Sequence, residues 1–129
     1  MKEELIIAAE NAMKHAYAPY SKFAVGAAVL TATGQVYTGC NVENSSYGLT
    51  NCAERTAVYK AVSDGHRSFV AIAIIADTEL PVSPCGACRQ VLSEFAEPNM
   101  KVFLANTNGD NKEYTVAQLL PYSFNESMM

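Results

Sequence analysis

Two thiols, Cys85 and Cys88, stand three positions apart in Pro84-Cys85-Gly86-Ala87-Cys88. At the start of a helix that spacing puts both sulfurs on one face, within reach of one metal ion. Zinc takes four ligands, so this pair leaves two places. Cys52, upstream in Cys52-Ala53-Glu54, can fill the third and leave the fourth to water. Glu54, two residues on, is then a carboxylate beside that fourth place. Three protein ligands, one open position and an adjacent acid–base group describe a catalytic zinc site rather than a structural one.

Each piece has a plainer reading. Cys-x-x-Cys alone is at least as often a redox pair or half of a structural zinc knuckle. Asn51-Cys52-Ala53-Glu54 also fits a capping box, with Glu54 reaching back to the helix start. Joined to the second motif that reading loses, because the same geometry turns Glu54 toward the cysteines. Cys40 could close a structural four-cysteine site. It ends a predicted strand next to Gly39, where a small buried hydrophobe is the simpler role. His15 and His66 fall outside both motifs and read as solvated.

At these residues the chain resembles the cytidine deaminase family in its small homotetrameric form. Gly39-Cys40-Asn41-Val42-Glu43-Asn44 and Phe23-Ala24-Val25-Gly26-Ala27 match that family too, and the similarity runs over nearly the whole chain. Zinc nucleobase deaminases are the established example of a three-cysteine set with a non-ligand glutamate as acid and base. The resemblance implies one zinc per chain on Cys52, Cys85 and Cys88, with Glu54 catalytic. The implied reaction is hydrolytic deamination of cytidine and deoxycytidine.

Substrate contacts follow in part from the residues. Asn41 and Glu43 lie two apart, so in an extended segment both side chains face one way. An amide beside a carboxylate suits sugar hydroxyls, although turn chemistry in a polar loop explains the pair equally well. The resemblance assigns both to the ribose 3′-hydroxyl. It also implies that Phe23 and the Ala53 backbone contact the base. Phe124 would enter a neighbouring subunit's site, and Tyr47 would lie in a subunit interface. Taken alone, Phe23 reads as a core residue.

Three thiolates make the zinc cluster net negative, which opposes ionisation of a water on it. Two helix N-termini offset roughly half a charge each. Arg55 or Arg89 could add a full positive charge. The resemblance favours Arg55, and for Arg89 a surface role is the plainer reading.

The elements that position these residues are legible from periodicity. Leu5, Ala8, Ala9, Ala12, Met13 and Ala16 mark an amphipathic helix over 3–16. Strands are expected over 24–30 and 35–40, with Thr33-Gly34 turning between them. A polar loop over 41–51 leads to Asn51, which reads as the N-cap of a helix running to about Asp64. The apolar run Phe69–Ala76 reads as a central strand covered on both faces. Ser83-Pro84 opens a third helix with Val91, Leu92 and Phe95 inward, and another strand spans 101–105. A short helix follows near 116–120.

This order implies helices on both faces of a mixed sheet, with the last two of these strands parallel. The resemblance adds a fifth strand near Glu113–Thr115. The expected fold is therefore α/β, a three-layer α/β/α sandwich around a mixed, mostly five-stranded sheet, in a single domain over 1–129.

Net charge is −4, and the nine basic residues are scattered. A polynucleotide-binding protein would more often carry a basic stripe, so an uncharged nucleoside is the better fit. The acidic start, Met1-Lys2-Glu3-Glu4, is unlike a signal peptide, and no apolar run is long enough to cross a membrane. The protein is expected in the cytoplasm, where four cysteines argue for metal more than for disulfides. Three readings compete with the deaminase: a deaminase of a nucleoside antibiotic, a domain held by structural zinc, and a thiol redox protein. Asn41-Val42-Glu43, which suits a plain ribose, weighs against the first.

Overall fold

The computed structural model describes residues 1–129. Five strands form one sheet: β1 (Val25–Thr31), β2 (Val36–Cys40), β3 (Phe69–Ala76), β4 (Ala96–Asn106) and β5 (Asn111–Thr115). Their spatial order is β2-β1-β3-β4-β5. β3 and β4 run parallel, and the other neighbours are antiparallel. The sheet is mixed, as expected, and the fifth strand is present, beginning at Asn111 instead of Glu113.

Alternation along the strands separates two apolar layers. Val25, Ala27 and Val29 of β1 share one face with Ile72, Ile74, Val102 and Leu104. The helices α2 (Ala53–Ser63), α3 (Gly86–Phe95) and α4 (Val116–Leu119) cover that face through Ala57, Val58, Leu92 and Val116. On the other face, Ala28, Ala71, Ala73, Ile75 and Phe103 meet Leu5 and Ala9 of α1 (Lys2–Met13). β3 is thus buried on both sides. Ile72, Ile74 and Ile75 are each at most 1% exposed, and each such burial contributes about 1.5–3 kcal/mol.

Two glycines set the distance between layers. A Cβ on Gly26 would lie 1.9 Å from the carbonyl oxygen of Ala9, so α1 can cross β1 only because that atom is missing. A Cβ on Gly39 would meet the Ala57 nitrogen at 2.5 Å and the Ala53 oxygen at 2.7 Å. Gly39 therefore admits the first turn of α2, which carries the Cys52 motif, against β2.

Several boundaries depart from the periodic reading. α1 stops at Met13 because the chain beyond it peels away to pair elsewhere: Tyr17 N donates to Asn41 O at 3.0 Å and Glu43 N to Tyr17 O at 2.8 Å. β4 begins at Ala96, earlier than Lys101, with a register shift opposite Phe69–Ala71. The N-cap of α2 is Cys52 and not Asn51. Asn51 exchanges backbone hydrogen bonds with Val42 and donates from Nδ2 to Thr56 Oγ1 at 3.0 Å. No helix is long and apolar enough to cross a membrane.

Candidate active site and metal centre

The three motif cysteines meet where α2 and α3 begin. Cys52 caps α2 and Cys85 caps α3, both with extended backbone, and Cys88 follows in the first turn of α3 with no exposure. Their sulfurs lie within 4.8 Å of one another. Cys52 and Cys85 Sγ are 3.8 Å apart, and Cys85 and Cys88 Sγ 3.3 Å. A tetrahedron with zinc–sulfur bonds of about 2.3 Å has edges of about 3.8 Å, so the trio fits one zinc ion. Cys40 is not part of this cluster. It stands in β2 opposite Gly26, half-buried, and a four-cysteine site is not formed.

Charge at the cluster is unevenly shared. The neighbouring Cys88 thiol and then the Arg55 guanidinium, which donates to Cys52 Sγ, bring the Cys52 pKa down to about 5. The same contact with Cys52, together with burial, pushes the Cys88 thiol up. A thiolate on Cys52 thus disfavours a second one on Cys88. A dication bound by the three sulfurs would relieve that conflict and favour their deprotonated forms.

Arg55, one turn into α2, donates from Nη2 to Cys52 Sγ at 3.3 Å. Its Nε is buried without a partner. Arg89 does not reach the sulfurs. Its three side-chain hydrogen bonds go to Pro84, Leu119 and Ser83.

Glu54 is 4% exposed. It does not reach back as a capping-box partner, and burial pushes its carboxyl above the ordinary range. Glu54, Cys52 and Cys85 line one cavity of about 190 Å³ together with Phe23, Asn41 and Glu43. Ala53 lies in the same wall. Side chains separated by more than thirty positions in the chain thus face one space.

Asn41 and Glu43, 8% and 9% exposed, do turn the same way, but each is also a strut. Asn41 Oδ1 accepts from Val25 N at 2.9 Å, and its Nδ2 donates to Phe23 O at 2.7 Å. Glu43 Oε1 accepts from the backbone N–H groups of Tyr20 and Ser21 at 3.0 and 3.1 Å, while Oε2 accepts the Ser21 hydroxyl. These donors, the Ser21 hydroxyl foremost, hold the Glu43 carboxyl below the ordinary range. Glu43 Oε2, Asn41 Oδ1 and the Asn41 amide nitrogen keep capacity for a further bond, whereas Glu43 Oε1 already accepts two.

Phe23 is 42% exposed at the cavity rim, not in the core as its apolar character alone suggests. Tyr47 and Phe124 do not line the cavity of their own chain. Tyr47 is 76% exposed in a short 3₁₀ turn (Tyr47–Leu49), with its ring 6.2 Å from that of Tyr20. Phe124 is 58% exposed, and Gln90 Nε2 holds its carbonyl at 3.0 Å. His15 is exposed and His66 half-buried beside the Tyr37 ring, and neither joins the cluster.

Sequence reasoning passed over Ser21, Thr50, Val82 and Ser83, which also line the cavity. Ser21 follows Pro19-Tyr20 in an aperiodic turn, and only its long-range bond to Glu43 marks it out.

Residues 1–104 match the family described as the cytidine and deoxycytidylate deaminase zinc-binding region. A cytidine deaminase from Sporosarcina psychrophila is 60% identical over 124 residues, 96% of this chain and 91% of the relative. One from Halalkalibacterium halodurans is 56% identical over 95% of this chain and 93% of its own length. The crystal structure of cytidine deaminase from Burkholderia pseudomallei superposes with a TM-score of 0.93 at 51% identity, covering 96% of this chain and 99% of that one. The match over residues 1–104 and these identities over nearly the whole chain show that the chain belongs to the cytidine and deoxycytidylate deaminase family.

Proposed function

We propose that this protein hydrolyses the exocyclic amine of cytidine and deoxycytidine, giving uridine, deoxyuridine and ammonia. The observation that carries the reading is the buried Glu54 carboxyl facing the same cavity as Cys52 and Cys85. Cys52, Cys85 and Cys88 would hold a zinc ion, which would supply the Lewis acidity that makes a water nucleophilic at neutral pH.

Glu54 does the proton work. It takes a proton from the attacking water and passes it to ring N3, which makes C4 electrophilic. Glu54 then carries the remaining proton of the hydroxyl added at C4 to the amine, and ammonia leaves as the C4–N bond breaks and the C4 carbonyl forms. Burial opposes a permanent charge on Glu54, which suits a group that alternates between acid and base. Arg55 offsets the charge of the thiolates through Cys52.

Asn41 and Glu43 bind the ribose 3′-hydroxyl with the capacity their structural bonds leave. Phe23 and the Ala53 backbone contact the base. Phe124 of the partner subunit closes over it, and Tyr47 lies in the interface that brings the subunits together. The working form is a homotetramer of single-domain chains with shared sites, acting in cytoplasmic pyrimidine salvage. The exposure of Tyr47 and Phe124 away from their own cavity supports this. A net charge of −4 favours uncharged nucleosides over nucleotides.

The test is a panel of cytidine, deoxycytidine, cytosine, CMP and adenosine, followed by loss of ultraviolet absorbance and release of ammonia. Turnover of the first two alone is expected. Activity confined to CMP or free cytosine would overturn the nucleoside assignment.

A further inference from the structure

Arg89 turns its guanidinium away from the sulfurs and toward two separate segments of chain. Nε donates to the Pro84 carbonyl at 2.9 Å and Nη2 to Ser83 Oγ at 2.7 Å. Nη1 donates to the Leu119 carbonyl at 2.8 Å, at the end of α4. Ser83 and Pro84 run directly into Cys85, and Ser83 lines the cavity. Every hydrogen bond these two residues make goes to Arg89. Pro84 has no N–H to offer, and the nearest other hold on the approach to the metal ligand is Val82 N donating to Ala105 O at 3.4 Å.

The neighbouring position extends the same device. Gln90 donates to the Phe124 carbonyl at 3.0 Å. Three consecutive residues of α3 therefore carry a cysteine of the cluster, a hold on the segment before that cluster, and a hold on the C-terminal tail. A guanidinium is a rigid planar fork that can meet three acceptors at once. A lysine ammonium on a flexible stem retains the charge but not that geometry.

We propose that Arg89 is a positioning residue for the metal centre. Its guanidinium locks Ser83-Pro84 against the end of α4 and so keeps Cys85 at the capping position where its sulfur meets Cys52 and Cys88. The proposal rests on the three-cysteine zinc reading and adds to it a residue that touches neither metal nor substrate. Arg89 acts on how firmly the metal is held, through Cys85.

The experiment loads wild type, Arg89→Lys, Arg89→Ala and Ser83→Ala with zinc as intact oligomers. It measures the rate of metal transfer to a coloured chelator, with kcat alongside. Arg89→Lys is expected to release zinc about tenfold faster than wild type, the scale of one lost charge-assisted hydrogen bond. Ser83→Ala should give a smaller acceleration. Arg89→Lys combined with Ser83→Ala should be no faster than Arg89→Lys alone, because both remove one contact. Lys101→Ala, which loses only a surface ion pair with Glu113, should release zinc at the wild-type rate.

If Arg89→Ala fails to fold, Arg89→Lys and Ser83→Ala still decide. Wild-type release from Arg89→Lys would overturn the proposal, since charge alone would then suffice. A wild-type protein that holds no zinc would bring down the zinc reading itself, and this proposal with it.

Discussion

Arg55 donates to Cys52 Sγ at 3.3 Å from the first turn of the helix that Cys52 caps, so the element that delivers one sulfur also sets a full positive charge beside it. The contact is charge-assisted and partly buried, a class worth about 1.5–3 kcal/mol. Arg55→Gln keeps a donor but loses the charge. It should retain zinc while kcat falls about 10- to 100-fold, as read by steady-state kinetics and metal analysis. An unchanged kcat would remove Arg55 from charge compensation.

Glu43 is expected to act on both sugar binding and loop anchoring. Glu43→Ala should reduce kcat/KM for cytidine by about tenfold or more, since a charged, desolvated hydrogen bond is at stake. Its anchoring role carries a pH signature. The folded carboxyl titrates below its ordinary value of 4.5, so its stabilisation is full above that value and is lost as pH falls through the lowered one. The difference in thermal unfolding between wild type and Glu43→Gln should be constant above about pH 5 and shrink below pH 4. A difference independent of pH would show that the Ser21 and Tyr20 contacts contribute no linkage.

Phe124 lies outside its own chain's cavity, which sets up a complementation test. A chain ending at Tyr122 should fold but bind nucleoside poorly. Mixed with Glu54→Gln chains, it should regain partial activity in hybrid oligomers, where one chain supplies Glu54 and the other the tail. Verified hybrids without recovery would contradict a shared site.

Much of the site was legible in the sequence because its signals are local. Cys-x-x-Cys at a helix start and Cys-x-Glu at another fix which way side chains point within one turn. The apolar run of β3 likewise reports burial directly. What escaped depends on distant pairing. α1 ends early because residues near Tyr17 bond to Asn41 and Glu43. Asn51 loses the capping position to Cys52 because its backbone is already paired with Val42. The roles of Gly26 and Gly39 become plain only once α1 and α2 lie against them. Arg89, which a charge argument set beside Arg55, proves to bind carbonyls and a hydroxyl from segments that periodicity cannot bring together.

The most direct measurement is made on Glu54→Gln, comparing zinc content, nucleoside binding and single-turnover ammonia release with wild type. Glutamine keeps the shape of a residue that is 4% exposed but cannot relay a proton. The account expects one zinc per chain, cytidine binding close to wild type, and ammonia release slowed by about 100- to 10,000-fold. Near-normal turnover by the zinc-loaded Glu54→Gln protein would contradict it.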